Sequence, residues 1–227
     1  MKLTPYIQQG LRMLGLKLPR KVLRKLGSVV GNMELGVWLK DHDFVLDRWV
    51  TRREELFELV AAEVGHLPVL YLEFGVARGE ATRTWSRLLK HPDAVLHGFD
   101  SFKGFPEDWV AAPKGAWSTG GVPPALGDPR VRFFTGLFDQ TLPTYQAPQR
   151  DVVVFMMDAA LFRSTIYVLR RLRSLFRAGT YLYFDEFAAY GHEERAFRDF
   201  VEETGITFRL RGGTRGLEHV LFQCVKS

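Results

Sequence analysis

Five short apolar runs, Val69–Phe74, Val95–Phe99, Val131–Phe134, Val152–Met157 and Tyr181–Phe184, constrain most tightly what this chain can fold into. Each is nearly free of charge, as suits a strand buried on both faces. Helical patterns follow the first, fourth and fifth runs, at Ala81–Leu89, Thr165–Phe176 and Glu193–Glu203. Repetition of strand, helix and strand predicts an α/β fold: an open, mostly parallel sheet with helices on both faces. Two last runs, Ile206–Leu210 and His219–Cys224, have no helix pattern between them and are predicted to form an antiparallel pair. Upstream, Asp41–Val64 reads as one long helix, with Val45, Trp49, Leu56 and Val60 near one face and Gly31–Gly36 as a hinge before it.

Charge is distributed unevenly. The 227 residues carry a net +5 at pH 7, yet residues 1–33 contain seven Lys and Arg and no acid, leaving 24 basic and 26 acidic residues elsewhere. Positive charge is therefore a property of an N-terminal arm. Ile7, Leu11, Leu14 and Leu18 recur at helical spacing there, and Pro19 breaks the pattern before a second basic helix around Lys21–Val29. Such an arm can lie on an anionic membrane or nucleic acid, or pack on a partner subunit with its charges solvated. Packing is the simpler reading, because only Tyr6 interleaves the charges with a stacking group. The expected organisation is a basic helical arm over 1–40 and an α/β domain over 41–227. The single Cys224 forbids an intrachain disulfide, and no apolar run approaches the roughly 20 residues of a membrane span. A cytoplasmic protein without nucleic-acid partner is expected, acting as a homodimer or higher homo-oligomer.

Three features carry chemistry. The first strand runs through Glu73 into a turn whose Gly75 and Gly79 permit close approach of a ligand to backbone, ahead of a helix N-terminus. A structural turn would explain these glycines equally well. The second strand ends in Asp100, 25 positions beyond Gly75, where a carboxylate can accept hydrogen bonds from both hydroxyls of a ribose, or cap a turn. The three-glycine dinucleotide fingerprint is absent, which disfavours a nicotinamide oxidoreductase. Two further strands deliver Asp158, and Asp185 with Glu186, to the same sheet edge. Clustered carboxylates repel unless a cation or proton lies among them, and a hard, oxygen-ligated ion such as Mg²⁺ suits them. The alternative is that Asp158 and Asp185 cap loops or pair with Arg163 and Arg195.

Several blocks in order, Glu73-Phe74-Gly75-Val76, His97-Gly98-Phe99-Asp100-Ser101-Phe102-Lys103-Gly104-Phe105-Pro106, Gly136-Leu137-Phe138 and Met157-Asp158-Ala159-Ala160-Leu161-Phe162, resemble the class I S-adenosylmethionine-dependent methyltransferases of the macrocin O-methyltransferase type. The resemblance runs from about Tyr71 to Phe200. It implies a seven-stranded Rossmann-like sheet, S-adenosylmethionine as methyl donor, Mg²⁺, and a small-molecule acceptor, the hydroxyl of a sugar or natural product. It also implies that Glu73, Phe74, Gly75 and Gly79 lie along the methionine half of the donor and Asp100 on its ribose. Ser101 and Phe102 would border the adenosine, with Gly136 and Phe138 near the adenine. Asp158, Asp185 and Glu186 would be the metal set. Methyl transfer also needs the acceptor's proton removed, for which Asp158 is the candidate base and His192 the reserve, the simpler reading of His192 being an exposed residue at a helix N-terminus. One departure stands out: the family reads Asp-Ala-Asp-Leu-Tyr where this chain has Asp158-Ala159-Ala160-Leu161-Phe162. A donor-binding protein with impaired turnover is therefore the rival to an active enzyme.

Overall fold

The computed structural model describes residues 4–188 and 191–227, in two compact units, Met1–Asp43 and Phe44–Ser227. In the first unit, α1 (Pro5–Lys17) and α2 (Arg20–Asp41) meet at Pro19, whose ring forces the preceding Leu18 into an extended conformation and ends α1. The expected hinge at Gly31–Gly36 is not present: α2 runs through both glycines. A helical glycine costs only about 1 kcal/mol, which the favourable neighbours along α2 outweigh. Among the described residues no helix is long and apolar enough to cross a membrane.

The long helix expected over Asp41–Val64 is also interrupted. Between α2 and α3 (Glu54–Val64) the chain forms a two-residue strand, β1 (Trp49–Val50). Its periodicity continues across the gap, but β-branched Val50 and Thr51 favour extension, and Glu55 accepts the Thr51 and Arg52 N–H groups to start the helix afresh. Then follow β2 (Val69–Phe74), α4 (Glu80–Leu88), β3 (Val95–Asp100), β4 (Val131–Thr135), a short α5 (Phe138–Thr141), β5 (Val152–Met157) and α6 (Phe162–Arg171). The chain closes with β6 (Tyr181–Phe184), α7 (Glu193–Thr204), β7 (Thr207–Thr214) and β8 (Val220–Lys226).

These strands make one eight-stranded sheet in the order β1-β7-β8-β6-β5-β2-β3-β4, parallel except where β8 pairs with β6 and β7. The eighth strand beyond the seven expected is β1, parallel to β7. Every residue of β2 is buried, as its unbroken apolar run requires. On one face Tyr71, Tyr183 and Met156 pack against Phe57 and Val60 of α3 and Trp85 of α4. Aromatic rings build up the second layer: Phe74 stacks on Phe99 at 5.0 Å, and Phe155 on Phe176 at 4.5 Å.

The order jumps from β5 to β2 at mid-sheet, so the loops after these strands diverge and open a crevice at their carboxyl ends. Removing the fully buried Phe155 ring leaves a cavity in that layer. We expect Phe155→Ala to lower stability by about 3–5 kcal/mol with an unchanged denaturant slope in urea unfolding.

Candidate active site

Four backbone hydrogen bonds extend the strand pairing one residue past the sheet. Gly75 N–H donates to Phe99 O at 3.0 Å, Asp158 N–H to Phe74 O at 2.9 Å, Asp185 N–H to Met157 O at 2.9 Å and Gly136 N–H to Asp100 O at 3.0 Å. This places the loop residues side by side, around a cavity of about 650 Å³. Gly75 has φ +96°, and a Cβ there would lie 1.9 Å from the Asp158 carbonyl oxygen. Only glycine lets the loops after β2 and β5 approach so closely.

Of the residues expected at the site, Glu73, Gly75, Asp100, Ser101, Gly136 and Phe138 line the cavity, as do Asp158, Asp185 and Glu186. Four others do not reach its wall. Phe74 lies in the core, edge-on to Phe138 at 5.6 Å. Gly79 is the left-handed start of α4, packed beneath Pro124. Phe102 is fully buried against Phe133, because an aromatic side chain gains more by burial in the loop than at the crevice. His192 precedes α7, and its Nδ1 accepts the Phe162 N–H at 3.2 Å. Burial lowers its pKa.

Asp100 binds protein first. Its Oδ2 accepts the Val76 and Ala77 N–H groups at 2.9 and 2.8 Å, and its Oδ1 accepts that of Phe102 at 2.7 Å. A carboxylate offers about four lone-pair sites, so roughly one remains for a ligand hydroxyl. Glu73 is fully enclosed, with Tyr71 Oη and Thr82 Oγ1 donating to its Oε2 at 2.8 and 2.6 Å. Burial nevertheless pushes its pKa up to about 7. Asp158 is held well above the usual carboxylate range by burial and then by Asp185.

Asp185 behaves oppositely. Burial alone would raise its pKa, but His219, Arg53 and Tyr183 together hold it below the ordinary value. Arg53 Nη1 spans both its oxygens at 3.0 and 3.1 Å, Tyr183 Oη donates to Oδ1 at 2.7 Å, and His219 Nδ1 lies 3.3 Å from Oδ1. Asp158 and Asp185 thus pair with neither Arg163 nor Arg195 in any hydrogen bond or ion pair among the described residues. Among the described residues Glu186 Oε2 is buried without a hydrogen-bond partner, and burial pushes that group up to about 7.

Three contributors were not legible beforehand. Arg53 and His219 lie far from Asp185 in sequence and outside any motif. Glu193, expected only as a helix start, crosses beneath the acidic loops: its Oε1 accepts the Ala159 and Ala160 N–H groups at 3.1 and 3.0 Å, its Oε2 that of Glu186 at 3.2 Å. A pair of acids opening a helix right after the Asp185 loop was the available signal. Ala160 has φ +55°, a left-handed conformation that Asp tolerates better than Ala. Of the loop tryptophans, Trp117 lines the cavity and Trp109 packs with Ala160 and Leu161.

Residues 124–212 match the family model described as Macrocin-O-methyltransferase (TylF), which bears out the resemblance read from the sequence. Among solved structures, the O-methyltransferase NovP aligns with TM-score 0.60 at 22% identity, over 77% of this chain and 80% of that one. The calicheamicin methyltransferase CalS11 aligns with TM-score 0.58 at 22% identity, over 76% and 80%. An O-methyltransferase from Bacillus cereus in complex with SAH aligns with TM-score 0.51 at 16% identity, over 87% and 91%. No curated protein matches the sequence. The family and these structures are O-methyltransferases, and the chain shares their fold.

Glu193 is pushed up to about 8 by burial, and Glu73 and Glu186 to about 7, from an ordinary value of 4.5. Between pH 4.5 and 8 the native state therefore binds more protons than the unfolded chain, so stability falls as pH rises through that window. We expect the ligand-free protein to melt higher at pH 5 than at pH 8. In Glu193→Gln that slope should flatten, with a loss of about 1–3 kcal/mol at pH 5 because an amide N–H₂ then faces backbone donors.

Proposed function

We propose that this chain, similar to the macrocin O-methyltransferases over residues 124–212, transfers a methyl group from S-adenosylmethionine to a hydroxyl of a sugar or natural product. The observation that carries the reading is one cavity bounded by the Gly75 turn and Asp100 on one side and by buried carboxylates on the other. The name of CalS11, a calicheamicin methyltransferase, supports the class of acceptor, and the SAH-bound Bacillus cereus structure supports the donor.

S-adenosylmethionine would supply a methyl group on a sulfonium, which an acceptor oxygen displaces in line, the O–C bond forming as the C–S bond breaks. The residues present fit this donor. The Gly75 turn brings bare backbone to the cavity wall, Asp100 keeps a lone pair for a ribose hydroxyl, and Phe138 offers an aromatic edge to adenine. Glu73, poised near neutrality, gains most from a cation, because a positive charge beside it restores the carboxylate that burial disfavours. Asp158 is the base: once the sulfonium's charge has driven its own proton to solvent, burial and Asp185 make it a stronger proton acceptor than an ordinary carboxylate, and it takes the acceptor's hydroxyl proton as the ether forms. His192, turned to Phe162, is left to position the loop before α6.

Mg²⁺ assistance does not follow from these residues as they stand. Asp185 gives Oδ1 to Arg53, Tyr183 and His219 and shares Oδ2 with Arg53, and no group of three or more metal-ligating side chains among the described residues is arranged to hold an ion. A cytoplasmic homo-oligomer belongs to the same proposal. In its support, α2 exposes Val22, Leu26, Val29, Met33 and Val37, recurring along one side, as a second copy would cover.

Calorimetry with S-adenosylmethionine, beside NAD⁺, tests the donor. We expect binding of the first alone, its loss in Gly75→Ala, and about tenfold weakening in Glu73→Gln. Radiolabelled methyl transfer to a panel of nucleotide sugars and polyketide glycosides tests the activity. Transfer that appears only in Ala160→Asp would establish the impaired-turnover alternative.

A further inference from the structure

We propose that Arg53 is the built-in cation of the acidic cluster, its guanidinium standing where a divalent ion would bind, so that the transfer site is constructed without a metal. The proposal takes the methyl-transfer reading as its setting. It rests on how Asp185 is engaged. Arg53 Nη1 lies 3.0 and 3.1 Å from the two oxygens and so sits across the open edge of the carboxylate, the position a bidentately held ion must occupy. Tyr183 and His219 take Oδ1 from the other side at 2.7 and 3.3 Å. Oδ1 is thereby filled, and Arg53 stands on Oδ2.

Arg53 is held in this place. It is the residue from which α3 starts, its carbonyl accepts the Leu56 N–H at 3.0 Å, and Glu54 lies against its Nε at 3.4 Å. Its side chain is about a quarter exposed and forms part of the cavity wall beside Asp158. A guanidinium suits the task better than an ammonium, since it stays charged at any working pH and is less strongly hydrated. Among the described residues Glu186 Oε2 is buried without a hydrogen-bond partner, and no group of three or more side chains there is arranged to hold an ion.

Mn²⁺ is titrated into the full chain, with and without saturating S-adenosylhomocysteine, and free ion is followed by electron paramagnetic resonance. We expect the native protein to leave Mn²⁺ free up to about 1 mM, far beyond the range of a built carboxylate site. Arg53→Met uncovers Asp185 next to Asp158 and Glu186 and is expected to gain about one bound equivalent, while Arg53→Lys, which keeps the charge, gains none. The proposal is overturned by stoichiometric Mn²⁺ binding in the native protein. It is equally overturned if Arg53→Met binds S-adenosylhomocysteine yet takes up no more Mn²⁺ than the native chain. Should Arg53→Met not fold, the native and Arg53→Lys titrations decide: ion bound by either refutes the proposal, and none bound by both upholds it. Heat of S-adenosylhomocysteine binding on the same samples separates the two levels, because its absence in the native protein would refute the methyltransferase reading and leave the Mn²⁺ result to judge Arg53 alone.

Discussion

Mutual repulsion among buried carboxylates governs this site. Glu73, Asp158, Asp185, Glu186 and Glu193 converge at the carboxyl ends of β2, β5 and β6, and most of them are removed from water. Charges this close and this poorly solvated cannot all persist without compensation. The structure divides the burden three ways. Asp185 stays ionised through His219 and Arg53, Glu193 is displaced toward its neutral form despite three backbone N–H groups, and Glu73, Asp158 and Glu186 are displaced the same way without backbone donors. Groups in that last state respond most strongly to a cationic ligand.

The scaffold makes the convergence possible. Parallel strands end their side-chain alternation at a common edge, and the backbone bonds from Gly75, Asp158 and Asp185 carry the register one residue further. Glycine at position 75 then lets two acidic loops meet with no side chain between them. Fold and electrostatics are coupled here: the packing that brings the carboxylates together also excludes the water that would have screened them.

Much of this was legible in the sequence. Val69–Phe74 and Val152–Met157 could be read as buried strands because such runs have no other low-energy place, and the acids that end them were thereby sent to one edge. What escaped reading was whatever depended on partners distant in sequence. Arg53 meets Asp185 across 132 positions, and Glu193 reaches Ala159 across 34, so no local pattern distinguishes them from surface charges. Periodicity also misled where it ran on through a break, as between Asp41 and Glu54, because hydrophobic spacing records which side faces the core and is silent on chain direction. Phe74 and Phe102 stood beside true cavity residues, but their rings turned inward, where an aromatic ring is better buried.

If the site is a nest of strained carboxylates completed by a cationic donor, binding must drive protons out of it. Calorimetry of S-adenosylmethionine binding near pH 7, repeated in buffers of different ionisation enthalpy, measures that release directly. The account predicts release of a substantial fraction of one proton with the sulfonium donor and less with uncharged-sulfur S-adenosylhomocysteine. Equal binding of the two with no proton released would contradict it.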